Sequence, residues 1–183
     1  MHEGGLSLYP TLLFDVNVLI YLYNLGVHKI VLGSVTQSYT GDMLQYQEMQ
    51  SVPWGVFANC GMKALGVTGE QMKEVYGLTR EHTSLSLYDA EMLVLAKYMG
   101  YPLTTEDRKM IRIMGEMGLC HISLPDLIDQ LAMQGVISPS FALVLFRKIS
   151  VEFLPKRYDN CAGYITKYER MMGEGGRVEV GEQ

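Results

Sequence analysis

Three aspartates stand where a charged side chain meets apolar surroundings or an element boundary. Asp15 lies between Leu12–Leu13–Phe14 and Val16, Val18, Leu19 and Ile20. An unpartnered carboxylate buried in such a run costs several kcal/mol, so Asp15 requires a partner, and a metal ion or a cluster of N–H groups would serve. Asp89 opens a helical stretch, and Asp107 follows a short strand ending at Thr104. In open α/β sheets ligands bind beyond the carboxyl ends of the strands, so these carboxylates are expected at one edge. Clustered carboxylates repel one another unless a hard cation sits among them. Magnesium and manganese favour such oxygen ligands. A divalent ion held this way lowers the pKa of a water and stabilises charge developing on a phosphate. Phosphodiester hydrolysis is the chemistry that suits the constellation.

The elements that must position these groups read as alternating strands and helices. Thr11–Asp15 reads as a buried strand and Asn17–Asn24 as a helix stopped by Gly26. Lys29–Leu32 is β-branched and apolar and reads as a second strand. Thr36–Gln50 has helical character despite Gly41, and Pro53 opens a further helix through Leu65. Thr68 with Gln71 forms a capping-box pattern for a short helix to Tyr76. Ser86–Met99 has apolar residues at helical spacing (Leu87, Ala90, Leu93, Val94) and ends at Gly100. Strand Tyr101–Thr104, helix Glu106–Met117, strand Leu119–Ile122 and helices Ser123–Met133 and Ser138–Ile149 follow. This alternation predicts an α/β three-layer sandwich around a mostly parallel sheet of about four to five strands.

The 183 residues suit one domain with a short tail, and 48% hydrophobic with 19% charged residues is an ordinary globular composition. Cys60, Cys120 and Cys161 form no CxxC pair, and His2, His28, His82 and His121 show no paired ligand spacing. The chain has no run of 18 uncharged apolar residues, and its N-terminus lacks a basic region, so neither a membrane span nor a signal peptide is expected. A cytoplasmic location follows as the default. The net charge of −5 argues against non-specific nucleic-acid binding, although cations bound to an acidic site soften that objection. Between Arg147 and Arg170 six Lys/Arg face three Asp/Glu, a stretch that reads as a solvated surface before it reads as a phosphate guide.

The segment Asp89–Ala90–Glu91–Met92–Leu93–Val94–Leu95–Ala96, then Gly100, then Leu103–Thr104–Thr105–Glu106–Asp107 resembles the signature half of PIN-domain nucleases. Leu13–Phe14–Asp15–Val16–Asn17–Val18–Leu19–Ile20 resembles the first strand of that family, and Gly118–Ile122 with Gly135–Ser138 resembles its later part. The resemblance runs over roughly residues 10–150 and implies a PIN-like nuclease domain at 1–150. Beyond it a helical extension is expected at 151–172, and the Gly- and Glu-rich stretch 173–183, with little to bury, is expected to be a mobile tail. It implies a metal-dependent ribonuclease whose Mg2+ or Mn2+ is held by Asp15, Asp42, Asp89 and Asp107, with Thr105 orienting a ligand or a water. Asp42 stands here where the family places a Glu; Glu48 lies a turn or more later. The resemblance further implies an RNA substrate, an antitoxin protein as partner and a homodimer.

Two other readings compete. A PIN-like module without activity would bind RNA or protein without cutting. A phosphatase of the haloacid-dehalogenase type would place a second Asp where this chain has Asn17, and it lacks that acid–base group. Each carboxylate also has a plainer explanation. Ser86 with Asp89 and Thr104 with Asp107 have capping-box spacing, as does Ser123 with Asp126. Glu91 and Glu106 are further carboxylates, with Glu91 turned away from Asp89 by helical geometry. Arg108 and Arg112 read as a solvated helix face, and Met110, Met114 and Met117 as a core stripe.

Overall fold

Leu12, Leu13 and Phe14 carry no exposed surface, as expected of a strand covered on both faces. They form β1 (Thr11–Phe14), the central strand of a five-stranded sheet. The fold is seen in a computed structural model that describes residues 10–43, 52–153 and 160–174. The strand order is β3-β2-β1-β4-β5, with β2 at Gln37–Gly41, β3 at Lys63–Leu65, β4 at Leu103–Thr104 and β5 at His121–Ile122. Every pairing is parallel, and Leu13 lies level with Tyr39 on one side and Leu103 on the other. Threonine hydroxyls reinforce the centre, Thr40 donating to the Phe14 carbonyl at 2.8 Å and Thr104 to the Leu13 carbonyl at 3.1 Å.

The helices are α1 (Val16–Asn24), α2 (His28–Gly33), α3 (Trp54–Ala58), α4 (Gly69–Glu81), α5 (Leu87–Met99) and α6 (Arg108–Met117). Right-handed crossovers put the helices following β1 and β2 on one face and those following β3 and β4 on the other. The result is a three-layer α/β sandwich. Its strand order reverses direction between β1 and β4, which is the switch point where such sheets bind ligands. Helix α5 is buried continuously from Ala90 to Ala96 and packs Ala90 and Val94 against Val75 of α4. Gly100 and Gly118 end α5 and α6 at φ 66° and 67°, in the left-handed conformation that glycine adopts without a Cβ clash.

Three elements differ from the sequence expectation. Lys29–Leu32 is helical, part of α2, and its four apolar-rich residues are too few for periodicity to separate helix from strand. Gln37–Gly41 is a strand inside the stretch read as the Thr36–Gln50 helix; pairing with β1 and β3 overrides its polar composition. The helix expected from Pro53 to Leu65 stops at Ala58, and Lys63–Leu65 forms edge strand β3. The Thr68 helix runs past Tyr76 to Glu81, and its capping box is formed. Residues 44–50 of the expected Thr36–Gln50 helix, Glu48 among them, lie outside the described residues.

The chain divides into two compact units, Met1–Leu124 and Pro125–Gln183. The second contains α7 (Leu124–Met133) from Pro125 onward, α8 (Pro139–Lys148) with a π-helical turn at Ile149–Phe153, and α9 (Asn160–Glu174). Within this unit α7 and α8 are tied to α9. Asp129 accepts from Lys167 Nζ at 2.7 and 2.9 Å and from the Tyr168 hydroxyl at 2.8 Å. Tyr164 donates to Asp126 and stacks on Phe146 at 4.9 Å, and Arg147 pairs with Glu169 at 2.6 Å. Helix α9 runs over Asn160–Glu174; residues 154–159 of the expected extension and 175–183 of the expected tail lie outside the described residues. Among the described residues no helix is long and apolar enough to cross a membrane.

Candidate functional site

The switch point is flanked by Asp15, which follows β1, and by Thr105–Glu106–Asp107, which follow β4. Asp15 occupies the N-cap position of α1, yet its carboxylate makes no capping bond there. With 2% of its surface exposed, it turns instead to the neighbouring strand end, where Thr105 Oγ1 donates to Asp15 Oδ2 at 2.8 Å. The same hydroxyl accepts from the Asp107 N–H at 3.1 Å, so a single buried threonine joins both sides of the crevice. The Thr105 carbonyl accepts from His121 Nε2 at 2.8 Å, which assigns the proton of His121 to Nε2 if the ring is neutral.

Negative charge gathers around this point. Burial raises the Tyr21 hydroxyl pKa, and the charges of Glu106 and then Asp15 raise it further. Glu106 is itself buried and accepts from the Leu124 N–H at 2.5 Å, a structural tie that sequence reasoning did not assign. Asn17, two residues beyond Asp15, is exposed.

Asp107 and Asp89 each serve a helix terminus. Asp107 Oδ1 accepts from the Lys109 N–H at 2.7 Å and the Met110 N–H at 3.1 Å, while Oδ2 accepts no hydrogen bond among the described residues. Asp89 completes a capping box: its Oδ2 accepts from the Ser86 N–H, and its own N–H donates to Ser86 Oγ, both at 3.0 Å. Asp89 thus takes the plainer role its spacing allowed, whereas Asp107 is itself the N-cap of α6 and Thr104, its expected capping-box partner, donates to the Leu13 carbonyl instead. Of the two carboxylates only Asp107 is linked through Thr105 to Asp15.

A second acidic centre lies one strand over, at the end of β2. Glu91 of α5 has no exposed surface, and neither carboxylate oxygen has a hydrogen-bond partner among the described residues. Its pKa is pushed up to about 8, by burial first and then by the neighbouring Asp42 carboxylate. The Met43 amide, short of full hydrogen-bond geometry, pulls the other way. Asp42 is half-buried, and a β-carbon on Gly66 would stand 2.6 Å from its Oδ2. Asp42 therefore meets Glu91, a residue the sequence reading ranked behind Asp89. The available signal was a charge set among Ala90 and Met92–Ala96 on a helix apolar all round.

These positions bear on the magnesium or manganese ion that the resemblance implies. Among the described residues no three of His, Cys, Asp and Glu close into one ligand set. The donor chemistry nevertheless fits a hard divalent ion. The side chains available are carboxylates, and among the described residues Asp107 Oδ2 accepts no hydrogen bond and the buried Glu91 oxygens lack a partner. Compared with known proteins, the chain matches no family model and no curated protein.

Proposed function

We propose that this protein is a divalent-metal-dependent ribonuclease that hydrolyses RNA phosphodiester bonds. The observation that carries the reading is the 2.8 Å bond from Thr105 to the buried Asp15 carboxylate across the β1/β4 switch point. Buried carboxylates at such a place require compensation, and functional sites are where that arrangement recurs. Asp15 and Asp107 would hold the ion, with Asp42 and Asp89 as the further candidates that the PIN-like motif supplies. Bound there, Mg2+ or Mn2+ would contribute Lewis-acid stabilisation of the scissile phosphate and a lower pKa for water. The protein's own contribution is orientation: Thr105 fixes one Asp15 oxygen and the first turn of α6, so both carboxylates keep their direction.

By the same resemblance we extend the proposal to a toxin of the toxin–antitoxin kind, homodimeric and restrained by an antitoxin protein; the cytoplasmic location proposed with it rests on the cysteine usage. The test is RNA cleavage with Mn2+ by the wild-type chain and by Asp15→Asn. Cleavage by the wild type that Asp15→Asn reduces to background is the expected result. Equal cleavage by both would remove Asp15 from the chemistry and overturn the assignment.

One observation favours a second reading, a PIN-like module that binds RNA or protein without cutting. Asp89 and Asp107 both bond to helix N-termini, and no three ligands converge among the described residues. RNA binding without cleavage by the wild type would select this alternative.

A further inference from the structure

We infer that Asp42 and Glu91 form a divalent-cation site of their own, in which Glu91 takes the ligand role that the PIN-like motif gives to Asp89. The inference deepens the nuclease reading and rests on it only for the choice of Mg2+ or Mn2+ as the ion. Two observations carry it independently. Glu91 is fully buried with both oxygens unpartnered among the described residues, so its carboxyl group lacks the solvation that a charged or polar group requires. The structure also leaves room for that group and its neighbour on two backbone segments. A β-carbon on Gly41 would collide with the Glu91 carboxylate, and one on Gly66 would stand 2.6 Å from Asp42 Oδ2.

Two carboxylates at close quarters do not both remain ionised without a counter-ion; they take up either a proton or a cation. A magnesium-type ion commonly binds through one or two carboxylates and keeps several waters. The half-buried Asp42 provides the side on which such waters remain. Asp89 turns away from this pair into its capping box with Ser86, so the one helix α5 sends a carboxylate to its own terminus and another to the end of β2.

The experiment is a Mn2+ titration of the full chain without RNA, with free Mn2+ read by electron paramagnetic resonance and thermal unfolding followed in parallel. Wild type, Glu91→Gln, Glu91→Asp and Asp15→Asn are compared. Glutamine keeps the shape of Glu91 and can donate to Asp42, so a pair that merely shares a proton tolerates it. The expected result is one fewer bound Mn2+ per chain and loss of the associated rise in Tm in Glu91→Gln, retention of the site at weaker affinity in Glu91→Asp, and retention in Asp15→Asn. Wild-type stoichiometry and Tm response in Glu91→Gln overturn the inference. Should Glu91→Gln fail to fold, Glu91→Asp decides: weaker Mn2+ binding supports the site, and unchanged binding overturns it. The two readings also fail separately. Loss of the Glu91 site together with undiminished cleavage by Asp15→Asn defeats the Asp15 assignment alone, and the reverse pattern defeats this one alone.

Discussion

Gly41 leaves the space that Glu91 fills: a β-carbon at position 41 would overlap the Glu91 carboxylate. The two residues come from β2 and α5, and the contact closes because Gly41 has no side chain. Gly41→Ala is expected to destabilise the fold by about 1–3 kcal/mol, the usual cost of overpacking a closed site. In a Glu91→Ala background the same change should cost well under that. Urea denaturation of the four chains in this double-mutant cycle measures the coupling, and additive costs would place the strain elsewhere.

The raised pKa of Glu91 predicts how stability varies with pH when divalent ions are removed by a chelator. Its pKa in the fold is about 8 against an ordinary 4.5, so the folded chain binds this proton more tightly than the unfolded chain does. The stabilisation from that proton is complete below pH 4.5 and is lost as pH rises through about 8. Between these values the contribution falls by at most about 1.4 kcal/mol per pH unit. Glu91→Gln does not titrate and should lack this component. Denaturation at a series of pH values for both chains tests it, and parallel profiles would count against a neutral Glu91.

Thr105→Val deletes the hydroxyl that bridges Asp15 and Asp107 while keeping the volume of a buried side chain. The Asp15 carboxylate loses a donor, at an expected cost of about 1–3 kcal/mol. Cleavage should fall by about 10–100-fold, as when a residue that orients a ligand is removed. Thr105→Ser should recover most of both. Activity unchanged in Thr105→Val, measured where the variant is fully folded, would assign the hydroxyl to structure alone.

Ser86→Ala breaks the capping box at the start of α5 and is expected to lower stability by about 1 kcal/mol. Because Asp89 Oδ2 bonds the Ser86 backbone N–H, the carboxylate keeps that contact in the variant. Mn2+-dependent cleavage should therefore persist at temperatures where the variant stays folded. A loss of cleavage larger than the unfolded fraction explains would tie the helix terminus to the chemistry.

What the sequence determined by itself is local. Capping boxes at Thr68–Gln71 and Ser86–Asp89, and glycine ends at Gly100 and Gly118, depend on groups within a few residues of one another, so spacing reveals them. The apolar run around Asp15 likewise announced a buried strand ending in a carboxylate. The tertiary structure alone decided which segment became β2. Gln37–Gly41 has polar residues and little strand character, and it is a strand because β1 and β3 satisfy its backbone on both sides. The same long-range pairing brought Asp42 at the end of that strand to Glu91, far along the chain, and left Asp89 with Ser86. Side chains at adjacent helical positions point in different directions, but only the packing of α5 against β2 determined which of its carboxylates was buried and which capped the helix.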